Sequence, residues 1–297
     1  MNDRLIVSLI KDQVPRALFH FDDEVCVEVR MTDPKDPCHG LIRYLSISEK
    51  LSILNLISKL TNLKVLDLRR NRLGTIPDDL QNLKELESFD LASNYLGTVP
   101  SWIGNLAKLK FLNLGVNNLD SAPDFLSNLV HLEGLRLHKN NISELPAGYS
   151  NLKKIKTLDL YLTQLNRIPD FAFEMSQMEY FSWGVSSLAT VPERIAQWSH
   201  LQWLSMAVNQ IERLPDSFCE LRKLRGARLI KNKLLEIPKE IGKLENLEQL
   251  SLYGNGLKKL PTSFESLKSL KKLNLAKNEF SEVPSEIKNL KLDWLEL

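Results

Sequence analysis

The residues best equipped for covalent or metal chemistry in this chain are three cysteines, Cys26, Cys38 and Cys219, and five histidines, His20, His39, His131, His138 and His200. A nucleophilic thiol needs a base within reach and surroundings that lower its pKa. A structural zinc site needs four ligands, usually in closely spaced pairs. No two of these cysteines form a CxxC pair, and Cys219 sits between Phe218 and Glu220 with no histidine nearby in sequence. The chain contains no GxxxxGK[ST], HExxH or GxSxG motif, and the glycines of "YGNGLKKLP" lack phosphate-loop spacing. These residues predict inert structural thiols, no enzyme, no cofactor and no metal.

The elements that must position any other site are set by an internal repeat. Apolar residues open a unit at Leu63, Leu86, Leu109, Leu132, Ile155, Met178, Leu201, Leu224, Leu247 and Leu270, a constant step of 23. Each unit follows LxxLxLxxNxLxxIPxxIxxLxx, as in "LKVLDLRRNRLGTIPDDLQNLKE", and ten of the 13 prolines occupy one position of it. The alternation in LxxLxL has the period of a short strand. The following Asn (Asn71, Asn94, Asn117, Asn140, Asn209, Asn232, Asn255, Asn278) can bond backbone groups that a turn leaves unpaired. Pro then opens a short helical return, where its missing N–H costs least.

On these motifs the chain resembles the leucine-rich repeat family, in the 23-residue intracellular form similar to Ras-suppressor-type and bacterial cytosolic proteins. The resemblance implies an α/β solenoid: a curved parallel sheet on the concave face, with short helical or irregular segments on the convex face. The expected organisation is a capping segment over residues 1–41 and a repeat domain over 42–297. The latter holds a degenerate repeat at 42–62, ten repeats at 63–291 and a partial one at 292–297, all in one continuous solenoid. In the cap, "EVCVEVRM" alternates, which places Val25, Val27, Val29 and Met31 on one face of a strand covering the first repeat. At the other end Leu292, Leu295 and Leu297 face inward with nothing after them. A downstream domain, self-association with a second copy, or tolerance of the open end would each fit.

Composition narrows the partner. With 39 basic and 37 acidic residues the net charge is +2, too small to argue for nucleic acid or an anionic membrane. No apolar run approaches the roughly 20 residues needed to span a bilayer, and the N-terminus is not a convincing signal peptide. Scattered, odd-numbered cysteines fit a reducing compartment. The expected location is therefore cytoplasmic, including delivery into another cell as an effector.

What remains is a sheet that presents positions 3, 5, 7 and 8 of each unit outward. Tyr161, Leu162, Tyr180, Val185, Trp203, Val208 and Ile230, with Tyr253 beyond, are predicted to form an apolar and aromatic patch that binds a protein partner. Arg69, Arg70, Arg136, His138, Lys139, Arg228 and Lys231 form an expected charged rim that selects an acidic partner, with Lys272 nearby. The functional expectation is a non-catalytic protein-interaction scaffold. The alternative is a regulatory or substrate-recognition segment of a larger signalling protein or secreted effector of kinase, GTPase or ubiquitin-ligase type.

The stretch "MEYFSWGVSSLATVP" puts Trp183 where Leu is usual and Ser186 where Asn is usual. Trp183 falls at an inward position and reads as an enlarged core residue, given room by Ala172 and Ala227. Thr163 and Ser186 interrupt the Asn series in two adjacent units, which predicts a local change in curvature or strand spacing there.

Overall fold

The computed structural model describes residues 2–23, 25–32 and 40–297, so Cys38 and His39 lie outside the described residues. The chain divides into two compact units, Met1–Lys154 and Ile155–Leu297. No helix among the described residues is long and apolar enough to cross a membrane.

The first unit opens with helix α1 (Asp3–Gln13), capped by the Asn2 side chain, which accepts from the Leu5 N–H. Ile6, Val7 and Ile10 recur at helical spacing and are buried. Strands β1 (Leu18–Asp22) and β2 (Val25–Arg30) pair antiparallel, and the Cys26 N–H donates to Asp3 Oδ2 at 2.9 Å, tying the hairpin to α1. The register jumps from His20↔Glu28 to Phe21↔Cys26, leaving Val27 as the extra residue of a bulge. The bulge shifts the alternation by one. Cys26, Val29 and Met31 are the fully buried residues, whereas Val25 and Val27 are only half-buried, which corrects the expected inward face.

Strand β2 pairs in parallel with β3 (Val65–Asp67). Residues 42–62 supply no strand between them; after a turn they form helix α2 (Ile47–Ile57), held by a capping box of Ser46 and Glu49. The segment therefore carries the convex half of a repeat without its strand. From β3 the parallel pairing continues through β4 (Ser88–Asp90), β5 (Phe111–Asn113) and β6 (Gly134–Arg136). The second unit holds β7 (Thr157–Asp159), β8 (Tyr180–Ser182), β9 (Trp203–Ser205), β10 (Gly226–Arg228), β11 (Gln249–Ser251), β12 (Lys272–Asn274) and β13 (Trp294–Glu296), all parallel. Return segments are short 3-10 turns that typically begin just after the repeat's proline, as at Pro77 (φ −69°) before Asp78–Asn82.

Each strand is left by the same manoeuvre. Position 8 is left-handed in every full unit, with φ between 51° and 68° at Arg70, Ser93, Val116, Lys139, Leu162, Val185, Val208, Lys231, Gly254 and Lys277. For β-branched valine this conformation is strained and persists only when the surroundings enforce it. In eight of the ten full units an Asn at position 9 bonds the backbone groups that this turn leaves unpaired. Asn94 Oδ1 accepts from the Asn71 N–H (3.0 Å), while its Nδ2 donates to the carbonyls of Leu68 (2.9 Å) and Leu91 (3.0 Å). In the same way Asn71 Oδ1 accepts from the Ile42 N–H, so the cap is tied to the ladder.

Where the ladder lacks Asn, Thr163 Oγ1 donates to the Leu160 carbonyl at 2.8 Å and Ser186 Oγ to that of Leu165. The Ser186 N–H bonds the Val208 carbonyl at 3.2 Å, and Asn209 Oδ1 of the next unit accepts from the Leu188 N–H. Strands β7, β8 and β9 nevertheless keep the common register, with bonds of 2.8–2.9 Å from Leu160 to Ser182, Leu162 to Gly184 and Trp183 to Ser205. The expected change in strand spacing is absent. Parallel backbone bonds on both sides of each strand hold the spacing when one side-chain amide is lost.

Position 2 carries a series that alternates in sign: Lys64, Glu87, Lys110 and Glu133 in the first unit, and Lys156, Glu179, Gln202, Arg225, Glu248, Lys271 and Asp293 in the second. Lys110 and Glu87 meet at 2.6 Å, Arg225 and Glu248 at 2.7 Å.

Because it leaves several buried backbone groups unpaired, Asn94→Ala is expected to destabilise the protein by roughly 2–4 kcal/mol. Thr163→Ala, which removes one hydroxyl, should cost clearly less. Urea denaturation of both variants checks this, and equal losses would refute the ladder's role.

Candidate functional site

In each three-residue strand from β7 to β12 the middle residue is buried, and the two flanking residues face the opposite side; in β13 the middle residue, Leu295, is 40% exposed. Rows of equivalent positions therefore cross the sheet at about 4.8 Å per strand. The position-3 row reads Tyr180, Trp203, Gly226, Gln249, Lys272 and Trp294; the position-5 row reads Asp159, Ser182, Ser205, Arg228, Ser251 and Asn274. All of them line one open concavity of about 780 Å³, joined by Tyr161, Ala207, Val208, Ile230 and Lys231.

Of the predicted patch, Tyr161, Tyr180, Trp203, Val208 and Ile230 come together here. Leu162 and Val185, at the left-handed position, do not line the concavity. Tyr253 also lies apart, its ring covered by Lys277 Nζ at 5.4 Å, and a side-chain hydrogen bond with Tyr253 raises the pKa of Lys277.

The aromatic rings are laid over glycines. A Cβ on Gly226 would fall 2.1 Å from Trp203 Cζ3, and one on Gly184 would fall 2.7 Å from Tyr161 Cδ2. The first unit repeats the device with Phe111 over Gly134 and His138 over Gly115. A ring packed on bare backbone covers the defect that glycine makes in a strand and is itself held in one orientation. Trp203 is 37% exposed, so its outer face is open to a ligand.

The charged rim divides into two kinds. In the first unit Arg69 holds Asp67 through Nε (2.9 Å) and Nη2 (2.7 Å), which raises the guanidinium pKa further, and Arg136 lies over the Phe111 ring at 5.2 Å. Burial pushes the Asp90 carboxyl upward beside them. Arg70 and Lys139 sit at the left-handed turn. In the second unit, by contrast, Arg228, Lys231 and Lys272 line the concavity with no side-chain hydrogen bond or ion pair among the described residues.

The prediction overlooked the floor. The hydroxyls of Ser182, Ser205 and Ser251 make no hydrogen bond to the protein among the described residues, and Trp294 adds a second indole wall, 46% exposed. Tabulating position 5 beside positions 3, 7 and 8 reveals the serines.

Below the sheet, Trp183 is buried at 1% exposure in an aromatic cluster, with Phe181 at 6.2 Å and Phe181 in turn 4.5 Å from Trp198. Ala172 and Ala227 are buried as well. The cysteines and histidines are dispersed. Cys26 and Cys219 are buried, burial pushing each thiol up to about 11. His131 Nδ1 meets Lys154 Nζ at 2.9 Å, and His200 pairs with Ser199. No group of three or more metal-ligating side chains is assembled among the described residues.

The repeat and its parallel strands agree with comparison to known proteins. The leucine rich repeat family profile matches residues 55–96 and 228–280. A leucine-rich repeat protein of Leptospira interrogans is 34% identical over 80% of this chain with a TM-score of 0.76. The chain is a leucine-rich repeat protein. It spans 62% of the Leptospira protein's length. An internalin of Listeria monocytogenes shares the fold (TM-score 0.75, 19% identity, all of this chain and 95% of that one). A plant peptide hormone receptor, RGFR1, solved in complex with RGF2, is 26% identical over 81% of this chain and 45% of its own, with a TM-score of 0.65. No curated protein matches the chain.

Two measurements test this geometry. Gly226→Ala must displace the Trp203 ring, so tryptophan emission should change while the melting temperature moves only slightly; unchanged emission would contradict the packing. Folded and unfolded thiols should also differ. With folded pKa values near 11, about one thiol in a thousand is ionised at pH 8. In a Cys38→Ser background, Ellman's reagent should label the native protein far more slowly than the urea-unfolded one, with the native rate rising as pH approaches 11. Fast native labelling at pH 8 would show that the thiols are not enclosed.

Proposed function

We propose that the protein is a non-catalytic interaction scaffold that seats a protein partner in the concavity of its second unit. The observation that carries this reading is the convergence of Tyr161, Tyr180 and Trp203, from three successive repeats, and of Trp294 on one concavity. Aromatic anchors fixed against the sheet lose little side-chain freedom on binding. The unpaired hydroxyls of Ser182, Ser205 and Ser251 supply hydrogen bonds between the anchors. Leucine-rich repeat folds generally serve as non-enzymatic binding surfaces, and the similar plant receptor is solved with the peptide hormone RGF2 bound. The regular 23-residue step supports the intracellular repeat type, and the dispersed cysteines support a cytoplasmic location.

A second reading makes the chain a regulatory or recognition segment of a larger signalling protein or effector. Its support is that the chain spans 62% of the Leptospira protein and 45% of the receptor. Both readings place the partner on the same surface.

Affinity capture with the wild type and with Tyr180→Ala/Trp203→Ala tests the site. Both side chains are 37% exposed, so the double variant should keep its fold by circular dichroism. Specific partners are expected to be lost or weakened at least about tenfold, in keeping with two aromatic hot-spot truncations. If every specific partner stayed bound, the concave site would be wrong.

A further inference from the structure

We infer that the occupant of this concavity is an extended acidic peptide segment in which a carboxylate side chain lies two residues from a large apolar one; this rests on the scaffold reading above. The Trp203 ring lies over Gly226, and Arg228 is two residues further along the same strand, β10. Alternate residues of a strand face one side about 7 Å apart. The open face of the indole and the exposed guanidinium therefore stand side by side over β10. An extended ligand repeats the same spacing, so its residues i and i+2 meet the indole and the guanidinium together.

The charge requirement follows from what the cations lack. Arg228, Lys231 and Lys272 line the concavity, and none has a side-chain hydrogen bond or ion pair among the described residues. A partner that covers them removes their water. A neutral or basic partner would leave buried, unpaired charge, which is strongly unfavourable, whereas a carboxylate forms paired, charge-assisted bonds with Arg228. The first unit makes no such demand. Its Arg69 is already held by Asp67, and Arg136 is stacked on Phe111. Of Arg69, Arg136 and Arg228, it is thus Arg228 that is left for an acid.

Selection of a random displayed dodecapeptide library on the purified full chain tests the inference. Enriched peptides are expected to carry Asp or Glu two positions from Trp, Phe, Leu or Ile, and to be depleted in Lys and Arg. A synthetic peptide of that kind should bind Arg228→Glu at least roughly tenfold more weakly, and selection on that variant should shift toward basic peptides. Arg228 is exposed, and a matching melting temperature would show that the variant is folded. If enriched peptides are lost on Trp203→Ala but show no acidic bias, the concave site stands and this inference falls. If they survive Trp203→Ala, the site itself falls. Displacement of the selected peptide by a mixed-sequence single-stranded oligonucleotide at equal affinity would overturn the peptide assignment in favour of a phosphate backbone.

Discussion

A carboxamide at one place in eight of the ten full repeats is the interaction on which this structure depends. A strand of three residues must be left quickly, and in every full unit the chain leaves through a left-handed residue, even where that residue is valine. The turn exposes N–H and C=O groups to an apolar interior, where each unpaired group would cost about 1–3 kcal/mol. Asn94 and its counterparts satisfy these groups on both sides, accepting from the preceding unit and donating to carbonyls of that unit and of their own. The side chain has to combine an acceptor with two donors, which only an amide offers. Thr163 and Ser186 show how far the requirement relaxes: each hydroxyl bonds a single carbonyl, that of Leu160 and that of Leu165, and the strands stay in register.

A regular sheet edge to edge with itself is a poor binding surface unless something breaks its uniformity, and here glycine does so. Gly184 and Gly226 remove side chains from the outward rows, and the neighbouring Tyr161 and Trp203 rings lie down in the space. This packing covers exposed backbone and orients the rings before any ligand arrives. Glycine and aromatic are thus one device, and their pairing across strands is a constraint that treating them as separate columns conceals.

The fold was highly legible because its determinants are periodic. A step of 23 residues, a proline at one place and an Asn at another specify strand, turn and return without any long-range information. The inward position of Trp183 followed from the same count. Legibility failed where periodicity fails. The cap's alternation was misread because the bulge at Val27 lies in the register between two strands, which one strand's letters do not show. The charged rim was misread for a similar reason. Arg69 and Arg228 look alike in sequence, yet one is held by Asp67 on its own strand and the other has no partner among the described residues. Type and position can be read from a string; whether a charge is already neutralised is decided by the rotamers and neighbours that folding selects.

The alternating charges at position 2 bear on a problem that the repeat creates for itself. Near-identical units can pair out of order, since any strand's backbone fits any other's. Exposed ion pairs such as Lys110 with Glu87 contribute only about 0–1 kcal/mol each to stability. Their effect on order is larger than that figure suggests. A strand that skipped one neighbour within the run from Lys64 to Glu133 would set like charges side by side, losing an attraction and gaining a repulsion at once. Along the run the differences accumulate, while the apolar core, made mostly of leucine, is nearly indifferent to which unit follows which. Gln202 is the one neutral member, and it stands at the strand that carries Trp203. The aromatic core of Phe173, Phe181, Trp183 and Trp198 fills the two repeats just before it and distinguishes them from their neighbours, so order on that side is specified by shape where elsewhere it is specified by charge.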